Sequence, residues 1–92
     1  MTDTMLPSQL ALARHALGLP NKRRVSYRNR YCLYGKGEPW LAWMGLVSKG
    51  LATYDDDGVI TVNGPRLFFS LTRKGAEAAL KRGERLCPED FP

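Results

Sequence analysis

The twelve-residue run from Glu38 to Lys49 constrains the fold more than any other part of the chain, because it holds both tryptophans and is apolar almost all round. Pro39 suits the first turn of a helix and Gly50 its end, so the run is predicted as a helix from about Pro39 to Lys49. Trp40, Trp43, Met44 and Val47 make one stripe at helical spacing, with Leu41 and Leu46 on flanking faces. Most of such a helix has to be covered, and Leu51 can fold back as the hydrophobic contact that accompanies a glycine cap. A chain of 92 residues builds one core, so the tryptophans are expected to fill its centre. The competing reading places them at an interface, where tryptophan, tyrosine and arginine carry most of the binding energy.

The remaining elements follow from period and punctuation. Ser8 to Leu17 sets Leu10, Ala13, Ala16 and Leu17 on one side of a helix, with Thr4 or Ser8 as the cap and Gly18 and Pro20 as the stop. Asn21 to Arg24 reads as a loop. Ser26 to Gly35 fits two periods. Tyr27, Asn29, Tyr31 and Leu33 would share a strand face, whereas Tyr27, Tyr31 and Tyr34 would share a helix face; Ser26 as a cap and Gly35 as a terminator favour a short second helix with its tyrosines inward. Val59–Val62 and Leu67–Leu71 form a hairpin about a tip at Asn63 to Arg66, Ala52–Tyr54 is a further strand candidate, and Asp55 to Gly58 is an acidic turn. Thr72 caps a last helix from Arg73 to about Arg82. The predicted domain is 1–83, followed by a C-terminal tail, 84–92. In class the chain is α+β: three helices, a β-hairpin wing and a C-terminal helix.

Charge is concentrated. Lys22, Arg23, Arg24, Arg28, Arg30 and Lys36 supply six positive charges within fifteen residues that contain no acid, more than the whole net charge of +5. Such a field draws nucleic acid, an acidic protein face or an anionic surface, and the plain alternative is a solvated loop. No apolar run is long enough to span a bilayer, and Met1 to Pro7 has no secretory pattern, so no membrane role is expected. Cys32 and Cys87 stand far apart without a CxxC or a histidine cluster. Two reduced thiols in a cytoplasmic setting are expected, Cys32 partly buried and Cys87 in the tail.

Parts for catalysis are missing. His15 is the single histidine and lies in an amphipathic helix without a Cys, Ser or acid at triad or metal spacing. Asp55, Asp56 and Asp57 fall where nothing would raise a carboxyl pKa, and Gly35-Lys36-Gly37 is too short for a phosphate-cradling loop. No enzyme activity, metal or cofactor is expected.

The run Leu46-Val47-Ser48-Lys49-Gly50-Leu51, followed after the hairpin by Leu71-Thr72-Arg73-Lys74-Gly75, resembles the end of the third helix and the start of the last helix in winged-helix regulators of the MarR type. The likeness covers about Leu46 to Leu80. Separately, His15-Ala16-Leu17-Gly18-Leu19 with Tyr27-Arg28-Asn29-Arg30-Tyr31 resembles small prophage-encoded proteins. The first resemblance implies a helix-turn-helix and DNA binding. Its recognition helix would be Pro39–Lys49, which offers no Arg, Asn, Gln or Lys before Lys49 to read a base. The expected function is therefore weakly selective nucleic-acid binding: Lys22, Arg23, Arg24, Arg28, Arg30 and Lys36 on phosphates, Arg66 at the wing tip, Arg73 and Lys74 in support. The alternative is a phage inhibitor that binds a host nucleic-acid-processing or defence protein.

Overall fold

The computed structural model describes residues 5–35 and 37–91; Thr4, considered above as a helix cap, and Lys36, a candidate cation, lie outside them. The elements run α1 (Pro7–Leu17), β1 (Tyr31–Tyr34), α2 (Glu38–Ser48), β2 (Ala52–Thr61), β3 (Gly64–Leu71) and α3 (Arg73–Ala79). The strands make one antiparallel sheet in the order β1-β3-β2. The class is α+β.

Helix α2 runs as its punctuation predicts. Trp43 and Leu46 are fully buried, and Trp40, Met44 and Val47 pack against the same core, while Leu41 is left exposed. Trp43 stacks on Phe69 of β3 with ring centroids 5.2 Å apart, so helix and sheet meet through the two largest core side chains. At the end of α2, Gly50 takes φ +76 and the Leu51 amide returns to the Leu46 carbonyl at 2.9 Å, which drops Leu51 into the core with no exposure.

The start of α3 is tied to that same turn. The Thr72 amide donates to the Leu51 carbonyl and its hydroxyl to the Gly50 carbonyl, both at 3.0 Å, while the hydroxyl also accepts from the Gly75 amide, the N-cap bond. Gly75 sits so close that a Cβ there would lie 1.9 Å from the Leu51 carbonyl oxygen. The Lys49-Gly50-Leu51 and Leu71-Thr72-Arg73-Lys74-Gly75 signatures are thus the two sides of one packed junction.

Helix α1 starts from Leu6, whose amide donates to the Gln9 side chain, with Pro7 in the first turn; Ser8 lies inside the helix and does not cap it. Gly18 ends it as expected, donating to the Arg14 and His15 carbonyls. Helix α3 stops at Ala79, short of Arg82, because Leu80 turns extended.

The second helix expected over Ser26–Gly35 is absent. Val25 makes an isolated bridge with Arg85, 26–30 have no regular secondary structure, and 31–34 form β1, paired Tyr31 with Phe69, Cys32 with Phe68, Leu33 with Leu67 and Tyr34 with Arg66. Tyr27 and Tyr34 are exposed, Tyr31 is half-buried, and Cys32 is exposed where partial burial was expected. The reason is partner-dependent. The Asn29 side chain donates to the Leu71 carbonyl at 2.9 Å and accepts from the Leu71 amide at 2.8 Å, continuing the ladder beyond β1. A helix over this stretch would forfeit every one of those bonds. In consequence α1 and α2 are separated by a loop and a strand, and no helix-turn-helix pair joins them.

The hairpin is longer than its sequence signal. Strand β2 is continuous from Ala52 through the acidic run, with a register irregularity between Asp56 and Ile60 at which the Gly58 amide donates to the Asp56 carboxylate at 2.8 Å. The acidic run is therefore a bulged strand segment and the turn falls at Val62 and Asn63. Arg66 lies within β3, opposite Tyr34, and not at the tip.

Candidate nucleic-acid interface

The loop carrying Lys22, Arg23 and Arg24 is held by its neighbours on both sides. The Asn21 side chain donates to the Gly18 and Val25 carbonyls at 3.0 Å and accepts from the Arg24 amide at 2.8 Å, while Arg24 takes a φ of +57. The C-terminal segment completes the clamp: the Arg85 amide donates to the Arg24 carbonyl at 2.8 Å and the Ser26 amide to the Arg85 carbonyl at 2.9 Å. Cys87 adds an amide bond to the Ser26 hydroxyl at 2.8 Å, and Phe91 packs into the core. The segment 84–91 is accordingly part of what presents the basic loop. Arg23 and Arg85 line one hollow with Tyr27, Cys87 and Glu89.

The C-terminal segment is anchored by one buried ion pair. Arg14 on α1 holds Glu84 in a two-pronged contact at 2.5 and 2.7 Å and donates to the Ala79 carbonyl at 2.9 Å; both side chains are 8% exposed. The hydrogen bonds from Arg14 pull the Glu84 carboxyl down to about 2 from 4.5, and the same pairing raises the Arg14 guanidinium. Arg14 is thereby withdrawn from any external partner.

Arg28 is turned back on the protein. Its Nε and a terminal nitrogen donate to the His15 carbonyl at 3.2 and 2.6 Å, a cation at the C-terminal end of α1, and it lies over the Tyr27 ring. Arg30 goes to the sheet: its guanidinium carbon lies 4.2 Å from the centroid of Phe68, and that of Arg66 lies 5.5 Å from the same centroid. Arg73 and Lys74 are exposed in the first turn of α3. The basic residues therefore do not form one patch. Arg30 and Arg66 converge on Phe68, Arg23 meets Arg85 at the clamped loop, and Arg28 caps α1. Among the described residues, Lys22, Arg23, Arg24, Arg28 and Arg30 are all exposed and none is in an ion pair.

Two participants, Phe68 and Arg85, have no place in the charge cluster of 22–36. Phe68 was detectable from period two, since Leu67, Phe69 and Leu71 face the core and Phe68 must face away. Arg85 carries no comparable local signal. Helix α2, by contrast, exposes Glu38, Pro39, Leu41 and Ser48, none of them a base reader suited to a major groove. No group of three or more His, Cys, Asp or Glu among the described residues is placed to hold a metal, and no described helix is long and apolar enough to cross a membrane. Comparison with models of protein families, with curated proteins and with solved structures finds no match.

Proposed function

We propose that this chain is a cytoplasmic nucleic-acid-binding protein of phage accessory type on a winged-helix-like scaffold, gripping phosphates with weak sequence selectivity. One observation carries the reading: five exposed cations, Lys22, Arg23, Arg24, Arg28 and Arg30, stand on a stapled segment with no carboxylate neutralising them among the described residues. Cations on a fixed backbone and without a carboxylate partner release counterions when phosphates replace solvent. Support for the scaffold comes from the part of the order running from α2 through the β2–β3 hairpin to α3, with β2 and β3 as the wing; β1 stands where the helix before α2 was expected. Arg66, Arg73 and Lys74 add positive charge on β3 and α3. Weak selectivity follows from the lack of base-reading side chains on α2.

A second reading has its own support. Val59, Ile60 and Val62 at the hairpin end are 40%, 73% and 103% exposed, and an apolar tip of that kind favours an inhibitor that docks on a host protein.

Fluorescence anisotropy with labelled duplex and single-stranded DNA across a salt series tests the first reading. Binding should weaken linearly in log–log form, and Lys22→Gln, Arg23→Gln and Arg24→Gln together should flatten the slope by roughly one per lost phosphate contact. Absence of binding to either DNA at low salt overturns it and leaves the inhibitor.

A further inference from the structure

We infer that the open face of the sheet holds one unpaired nucleobase carrying an exocyclic amino group, stacked beside the Arg30–Phe68–Arg66 column and read by Asp55. The inference rests on the nucleic-acid reading above and adds a site and a base class to it.

Register builds the face. Leu67, Phe69 and Leu71 of β3 point into the core, so Phe68 and Ser70 point to the other side. Directly across from Phe68 stand Cys32 on β1 and Asp55 on β2, and across from Ser70 stands Thr53. Cys32, Thr53 and Asp55 are exposed, and a hollow of about 320 Å³ opens there, lined by Arg30, Thr53, Asp55, Phe68 and Ser70. Planar guanidinium groups backed by an aromatic ring are surfaces on which a free base stacks, whereas a base inside a duplex has both its faces occupied already.

The polar lining selects what enters. Asn29 also borders the hollow, but its amide is committed to the Leu71 backbone. Tyr54 borders it too, with its ring tilted against Phe69 of the core at 5.9 Å. The remaining polar groups are Arg30, the Thr53 and Ser70 hydroxyls and Asp55. An ionised carboxylate only accepts hydrogen bonds, so Asp55 matches the amino group of cytosine and repels the carbonyl oxygen at the same position of thymine. It also repels a phosphate. The backbone of a bound strand is therefore kept out of the hollow while the arginines hold it nearby, and a base is what remains to fill the space.

The test is anisotropy at one fixed salt concentration and neutral pH with three labelled ten-nucleotide strands: oligo-dC, oligo-dT and an abasic strand with the same number of phosphates. Oligo-dC should bind about five-fold or more tightly than oligo-dT, and the abasic strand should bind weakest. Phe68→Leu should bring oligo-dC and oligo-dT down to the affinity the same variant shows for the abasic strand, and its buried-tryptophan fluorescence, unchanged from the parent, reports that the variant is folded. Asp55→Asn, which adds a donor, should abolish the difference between dC and dT. Equal binding of all three strands by the unaltered protein overturns the base site and leaves phosphate binding standing. Failure of every strand to bind at low salt overturns both.

Discussion

Replacing Glu84 by Gln keeps the shape of the side chain and removes its charge, leaving the Arg14 guanidinium buried without a counter-ion. A carboxyl lowered from 4.5 to about 2 contributes at most about 3 kcal/mol at neutral pH, and the 8% exposure of both partners means that solvent screens little of it. Breaking a buried pair by deleting one partner costs a similar amount, about 3 to 5 kcal/mol. For a domain whose whole stability is on the order of 5 to 10 kcal/mol, Glu84→Gln should lower Tm by roughly 15 to 25 °C. Because the folded pKa is depressed, the stabilisation is present in full above the ordinary carboxyl value and is lost as pH falls toward the folded one. The gap between parent and variant should therefore be widest near neutrality and should shrink steadily between about pH 5 and about pH 2. Urea titration followed by tryptophan fluorescence measures it, since Trp43 is fully buried on Phe69 and reports loss of the core. A gap under about 0.5 kcal/mol at neutral pH, or one undiminished near pH 2.5, would refute the reasoning.

The same titration checks three further expectations. Gly75→Ala should destabilise by at least about 3 kcal/mol, since the new methyl collides with the Leu51 backbone and not with a side chain that can swing aside. Asn29→Ala should cost about 2 kcal/mol by stripping both partners from the Leu71 backbone, and hydrogen exchange should show the Leu71 amide losing protection first. Trp43→Phe should cost no more than about 1.5 kcal/mol, less than a cavity of that size usually does, because the buried indole N–H has no hydrogen-bond partner to lose.

From the sequence by itself one can read α1, α2, the hairpin and the Thr72 cap of α3, together with the burial of Trp43 and the excess of positive charge between Lys22 and Arg30. Each of these is governed by interactions within a few residues: apolar period, a proline in a first turn, a glycine beyond a last one, like charges in succession. The state of 26–35 was not legible in this way. Its tyrosines satisfy helical and strand spacing alike, and only the backbone of β3, more than thirty residues away, breaks the tie through the β1 ladder and the Asn29 side chain. The acidic run joined a strand for the same reason, because its partners are on β3. Tertiary structure also decided the interface. Phe68 and Arg66 on β3, Asp55 on β2 and Arg30 just before β1 come together across the sheet, and the clamp on the basic loop depends on an ion pair between α1 and a segment seventy residues later. Charge and period are properties of neighbours along the chain; convergence is a property of pairing across it, which a linear reading does not contain.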